Sequence, residues 1–167
     1  MLKGSLYSAV GAAQPSLVVE SCKLLLAGFQ ESYTPSARGG IPAQWRRFAF
    51  HIGAVPGQIG SVTYGAILLE RGERNVFTYM SAVEVAERAV IPRPFVKLRI
   101  DAPRFAVFRH NDNVITIHET VRAAYSAYPR LFEGKRPSNV DFLERYDERF
   151  DLETGDGGVD IMIPLID

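Results

Sequence analysis

One cysteine, one tryptophan and three histidines are all that the 167 residues carry of these reactive or metal-binding side chains. Cys22 has no second thiol with which to close an internal disulfide, which points to a reducing, cytoplasmic setting. Within its apolar run it reads as a small core hydrophobe, not a nucleophile. His51, His110 and His118 do not fall at metal-ligand spacing, and no cysteine cluster accompanies them. His110, at the end of an apolar run, reads as a structural hydrogen-bonding group. No metal and no cofactor are expected.

Net charge is also lacking. Nineteen basic residues balance nineteen acidic ones, so no long-range field draws the chain to nucleic acid or to an anionic membrane surface. The basic residues do not interleave with aromatics along one element, and direct nucleic-acid binding is not expected. No apolar run is long enough to span a bilayer: the opening segment after Met1-Leu2-Lys3 is interrupted by Gly4, Gly11 and Pro15. Residues 1–16 read as a lead-in too short for a helix-turn-helix. Phosphate-binding loops, dinucleotide fingerprints and Gly-x-Ser-x-Gly elbows do not occur.

What is present is the composition of an ordinary folded chain, 47% hydrophobic and 11% aromatic. Leu17–Tyr33 reads as one long strand, bulged near Gly28. Ile41, Trp45, Phe48 and Ile52 then recur on one helical face, with Pro42 in the first turn and Gly53 and Pro56-Gly57 as the stop. Strands over Val62–Leu69 and Val76–Val85 follow, joined through Arg71–Asn75. Phe95–His110 is a strand interrupted at Pro103. Asn111-Asp112-Asn113 reads as a turn or cap, and Ile115–Leu131 as a helix with Ile117, Val121, Ala124 and Tyr128 along one stripe. Two strands, over 141–150 and 159–165, close the chain around the turn Thr154–Gly158.

The order is therefore strand–helix–strand–strand, twice, over about 17–86 and 95–167. This is an α+β pattern that two units satisfy by joining their strands side by side with both helices on one face. A cleft at the pseudo-twofold axis is expected on the opposite face. In the first closing strand Phe142, Glu144 and Tyr146 share a face by the two-residue period. Glu144 is then either a solvated edge residue paired with Arg145, Arg149 or a basic residue on a neighbouring strand, or the polar anchor of an apolar pocket. Tyr64, on the corresponding strand of the first unit, is expected on the opposite wall of the same cleft. Trp45, Tyr64, Phe77, Tyr79 and Tyr146 are the aromatic candidates to line it; each is otherwise ordinary core.

Several stretches resemble one family. Ile41-Pro42-Ala43-Gln44-Trp45-Arg46-Arg47-Phe48 is similar to the first helix of the GyrI-like, or AraC/BmrR-type, effector-binding domains. Thr63-Tyr64-Gly65-Ala66 and Phe77–Val85 resemble the two strands that follow it, Ile100–His110 the run ending in an apolar–Phe–x–His signature, and Leu143–Phe150 with Val159–Leu165 the closing strands. The ordered set covers about 17–167. It departs at 127–132, where Tyr128 stands in a segment that usually carries a tryptophan. The resemblance implies a duplicated strand–helix–strand–strand fold and a cleft that takes amphipathic, often cationic and aromatic, small molecules, with Glu144 as counter-charge. It also implies two alternatives: hydrolysis of reactive toxic small molecules with Glu144 as general acid or base, or inhibition of a larger enzyme in the manner of the gyrase-inhibiting members. A transcriptional role would require a partner protein; a homodimer through exposed strand edges is a further expectation.

Overall fold

The computed structural model describes residues 16–69, 75–133 and 138–165. Along the chain the elements are β1 (Leu17–Ser21), β2 (Leu25–Tyr33), a 3₁₀ turn (Pro35–Gly40), α1 (Ile41–Ala49), β3 (Gln58–Leu69), β4 (Phe77–Val85), β5 (Val96–Arg99) and β6 (Arg104–His110). A second 3₁₀ turn (Val114–Thr116), α2 (Ile117–Ala127), α3 (Pro129–Phe132), β7 (Phe142–Tyr146) and β8 (Val159–Leu165) complete them. Most of the Arg71–Asn75 connection, of the Gly134–Ser138 loop and of the 1–16 lead-in lies outside the described residues.

The strands form one antiparallel sheet in the order β1-β6-β8-β7-β3-β4-β2-β5. Each half of the sheet holds three strands of one repeat and the leading strand of the other, so β1 and β5 have exchanged places. This corrects the expectation of one continuous strand from Leu17 to Tyr33. At roughly 3.3 Å per residue such a strand would run about 55 Å, far beyond any partner. Instead it breaks at 22–24; β1 pairs with β6, and β2 pairs with β4 and β5. The break at 100–103, expected at Pro103, is its counterpart. The two linkers cross side by side, with Cys22 N–H donating to Pro103 O and Ile100 N–H to Leu24 O.

Gly28 is not bulged. It pairs in regular register with Ala82 and Val96, and a Cβ there would lie 1.8 Å from Ser81 O. The glycine permits a close backbone approach.

Both helices lie on one face. The α1 stripe buries Trp45 and Phe48 in the same core as Ala124 of α2, against Tyr79, Phe108, Tyr146 and Ile161. The predicted second helix ends earlier than expected, because Pro129 disfavours helical geometry at Tyr128, which sits at φ −128°, ψ 51°. His110 joins β6 to α2 as a structural group: one ring nitrogen meets Thr120 Oγ1 at 2.7 Å and the other Asn113 O at 2.9 Å. The other face of the sheet carries its own packed core of Leu26, Tyr64, Met80, Phe105, Leu143 and Met162. No helix among the described residues is long and apolar enough to cross a membrane.

Candidate functional site

The register places Leu17, Phe108, Ile161, Glu144, Gly65, Ser81 and Phe29 in one row across seven strands, all on the helix-covered face. Glu144 and Gly65 stand on β7 and β3, the two middle strands of the eight. Because α1 packs on β2 and β4 and α2 on β6, the central strands β7 and β3 run between the two helices. Glu144 thus lies at the centre of the sheet, on the face of the helices and not on the opposite one as expected.

The residue is only 7% exposed. Oε2 accepts from Tyr146 Oη at 2.5 Å and from Tyr79 Oη at 2.7 Å. Trp45 Nε1 donates to Tyr79 Oη at 2.8 Å. An indole can only donate, so the Tyr79 hydroxyl accepts from Trp45 and commits its own hydrogen to Glu144. Two phenols therefore converge on one carboxylate oxygen, and the Trp45 indole backs one of them. Oε1 makes no hydrogen bond among the described residues, and no buried side-chain oxygen or nitrogen there lacks a partner. Oε1 is thus the carboxylate oxygen that no described side chain holds.

Burial pushes the Glu144 carboxyl above its ordinary range, while the Tyr146 and Tyr79 hydrogen bonds pull it back down. Burial and the Glu144 charge raise both phenols well above theirs, so they remain donors at neutral pH. No basic side chain among the described residues pairs with Glu144. Arg145 turns to the other face and holds Glu20 through two bonds, at 2.8 and 3.2 Å, and Asp160 at 3.1 Å; Arg149 pairs with Asp147. The edge alternative for Glu144, with either arginine as its partner, is therefore not what this arrangement builds.

The sequence-predicted residues separate into two groups. Trp45, Tyr79, Tyr146 and Glu144 come together: the Trp45 ring stands edge-on to Tyr146 at 5.4 Å and to Tyr79 at 6.5 Å. Phe77 shares their face but packs on Tyr33, 6.0 Å away. Tyr64 does not join them. It pairs with Arg145, one residue out of step with Glu144, and lies buried in the second core, where burial raises its phenol to about 12. The expected pairing of Glu144 and Tyr64 across one cleft is corrected: adjacent residues on a strand point to opposite faces.

Three contributors were not foreseen as site residues. Gly65 faces Glu144 with no side chain, and a Cβ built on it would lie 2.2 Å from Tyr79 Oη and 2.4 Å from Glu144 Oε2. Its bareness lets a β4 phenol reach across β3 to a β7 carboxylate. Gln44, fully buried beside Trp45, donates through Nε2 to Phe29 O, Tyr79 O and Ser81 Oγ and accepts from Tyr33 Oη at 2.8 Å. It pins α1, and with it the indole, to β2 and β4. Phe150 packs on Tyr146 at 4.5 Å. The one available signal was a glutamine preceding the helix tryptophan on a buried stripe. An open depression of about 490 Å³ lies elsewhere, at the crossing linkers, lined by Ser21, Cys22, Lys23, Pro103 and Arg104; burial and Glu20 raise the Cys22 thiol there.

Comparison with known proteins agrees with this architecture. The chain is 30% identical over 152 residues to the transcriptional regulator BrlR of Pseudomonas aeruginosa, covering 89% of this chain and 54% of that protein. It thus spans about half the length of that relative. Among solved structures it superposes on SAV2435 bound to tetraphenylphosphonium with a TM-score of 0.64 at 16% identity, covering 90% of this chain and 93% of that one. It superposes on an integron cassette protein of Vibrio cholerae with a TM-score of 0.57 at 12% identity, covering 89% and 95%. The model of the GyrI-like small molecule binding domain matches residues 18–166, and the chain belongs to that family.

Proposed function

We propose that this small-molecule binding domain takes amphipathic, aromatic cations between α1 and α2, with Glu144 as counter-charge and Trp45, Tyr79 and Tyr146 as its aromatic surround. The observation that carries this reading is a buried carboxylate with no basic partner among the described residues, held at one oxygen by two phenols and without a donor among those residues at the other. Such a group is costly to keep charged without a cation. A cation about 4 Å away at an effective dielectric near 20 gains roughly 4 kcal/mol of Coulomb energy, part of which offsets its own desolvation, and ring faces add about 0.5–2 kcal/mol. SAV2435 was solved with a tetra-aryl cation, which supports the ligand class by analogy of fold. A regulatory role that rests on a partner protein, supported by the likeness to the transcriptional regulator BrlR, and a cytoplasmic setting belong to the same proposal.

The test uses methyltriphenylphosphonium and the neutral triphenylphosphine oxide of similar shape. Trp45 is the only tryptophan, so its fluorescence reports from the site alone. Glu144→Gln is expected to weaken the phosphonium ten- to hundredfold, about 1.4–2.7 kcal/mol, and the oxide far less. Equal losses for both ligands refute the counter-charge role.

A further inference from the structure

The two oxygens of Glu144 are not equivalent, and their difference selects among cations. Oε2 is saturated by Tyr79 and Tyr146, and the Tyr79 hydrogen is locked in place by the Trp45 indole behind it. Oε1 accepts no hydrogen bond among the described residues and is the oxygen that the cation-binding reading leaves to the ligand. A quaternary onium ion placed there neutralises the charge but leaves the lone pairs of Oε1 without a hydrogen. A protonated amine neutralises it and also donates an N–H, and hydrogen bonds to a charged acceptor are the stronger kind.

We infer that, given the cation-binding reading above on which this rests, the site prefers protonated aromatic amines, bearing at least one N–H, over quaternary cations of the same aromatic body. The donor geometry also dictates what a glutamine does at this position. Tyr79 must still give its hydrogen away, so the amide oxygen occupies the place of Oε2 and the amide NH₂ that of Oε1. A donor then stands where the ligand would approach, and an incoming N–H meets another N–H.

The experiment measures N,N-dimethyl-1-naphthylmethylamine, protonated at pH 7, against its N-methylated quaternary salt, by calorimetry and Trp45 fluorescence. In the parent protein the tertiary ammonium is expected to bind roughly tenfold more tightly or better. In Glu144→Gln both weaken and the preference vanishes or reverses; this variant also shows any effect of the extra methyl group itself. A parent protein that binds both salts equally, or the quaternary one more tightly, overturns the inference, as does a tertiary preference of the same size in Glu144→Gln. If Glu144→Gln alters neither affinity, it is the counter-charge reading that falls, and this inference with it. If it weakens both while the parent shows no preference, only this inference falls.

Discussion

Replacing Gly65 by alanine puts a methyl carbon where two polar atoms already stand. The added Cβ would lie 2.2 Å from Tyr79 Oη, 2.4 Å from Glu144 Oε2 and 2.8 Å from Tyr79 Cζ, whereas ordinary contact begins at 3.4 Å. The phenol must therefore retreat by about 1 Å, and it has nowhere to go: Tyr79 is 2% exposed and is held from behind by Trp45. A shift of that size breaks the bond to Glu144, at roughly 1.5–3 kcal/mol for a hydrogen bond to a charged group, and overpacking adds about 1–3 kcal/mol. The reduced freedom of the unfolded chain returns about 0.4–1 kcal/mol. The expected net loss is roughly 1.5–5.5 kcal/mol, a fall in Tm of about 3–22 °C for a chain of this size. Urea denaturation followed by circular dichroism measures it, with Gly39→Ala as control. A Cβ added at Gly39 would meet nothing within 4 Å, and that glycine has no positive φ, so the control substitution is expected to show only the unfolded-chain gain of about 0.4–1 kcal/mol. Gly65→Ala should also weaken methyltriphenylphosphonium, since the carboxylate loses a donor that holds it in place. A Gly65→Ala protein within about 0.5 kcal/mol of the parent, the usual range of an inconsequential surface change, would refute the steric argument.

Two further outcomes follow from the same cluster. Gln44→Leu leaves Ser81 Oγ without its partner and takes a donor from two backbone carbonyls, while the Tyr33 hydroxyl keeps Glu31; at about 1–3 kcal/mol per unsatisfied buried group, and with partial relaxation, a loss of roughly 2–4 kcal/mol is expected in denaturation, and a loss below about 1 kcal/mol would show that Gln44 does not pin α1. Glu144→Gln has the opposite sign at neutral pH. The native carboxyl binds its proton above the ordinary range while the unfolded one releases it within that range, so the parent loses stability as pH rises from the ordinary carboxylate value to the raised one and stays level above it. Urea titrations across that window should find the glutamine variant increasingly more stable than the parent with rising pH, with the gap smallest in acid; a gap that is constant or shrinks would contradict the burial argument.

The sequence by itself determined the elements and the local faces. Two-residue alternation put Phe142, Glu144 and Tyr146 on one side of a strand, and helical spacing put Ile41, Trp45 and Phe48 on one side of α1, because these periods follow from backbone geometry alone. The repeated strand–helix–strand–strand order was legible for the same reason, and so was the break at Pro103, which cannot donate to a ladder. What alternation cannot say is which face of one strand meets which face of another. That depends on register, and a slip of one residue exchanges the faces. Tyr64 and Gly65 are adjacent, and only the pairing of Gly65 with Glu144 decides that the glycine borders the carboxylate while the tyrosine lies in the other core. Tertiary pairing likewise split Leu17–Tyr33, since a strand persists only where a neighbour supplies its hydrogen bonds, and it sent β1 and β5 to opposite edges. The role of Gly65 left no mark in the hydropathy pattern, because what it contributes is the absence of a side chain at the one point where Tyr79 crosses to Glu144.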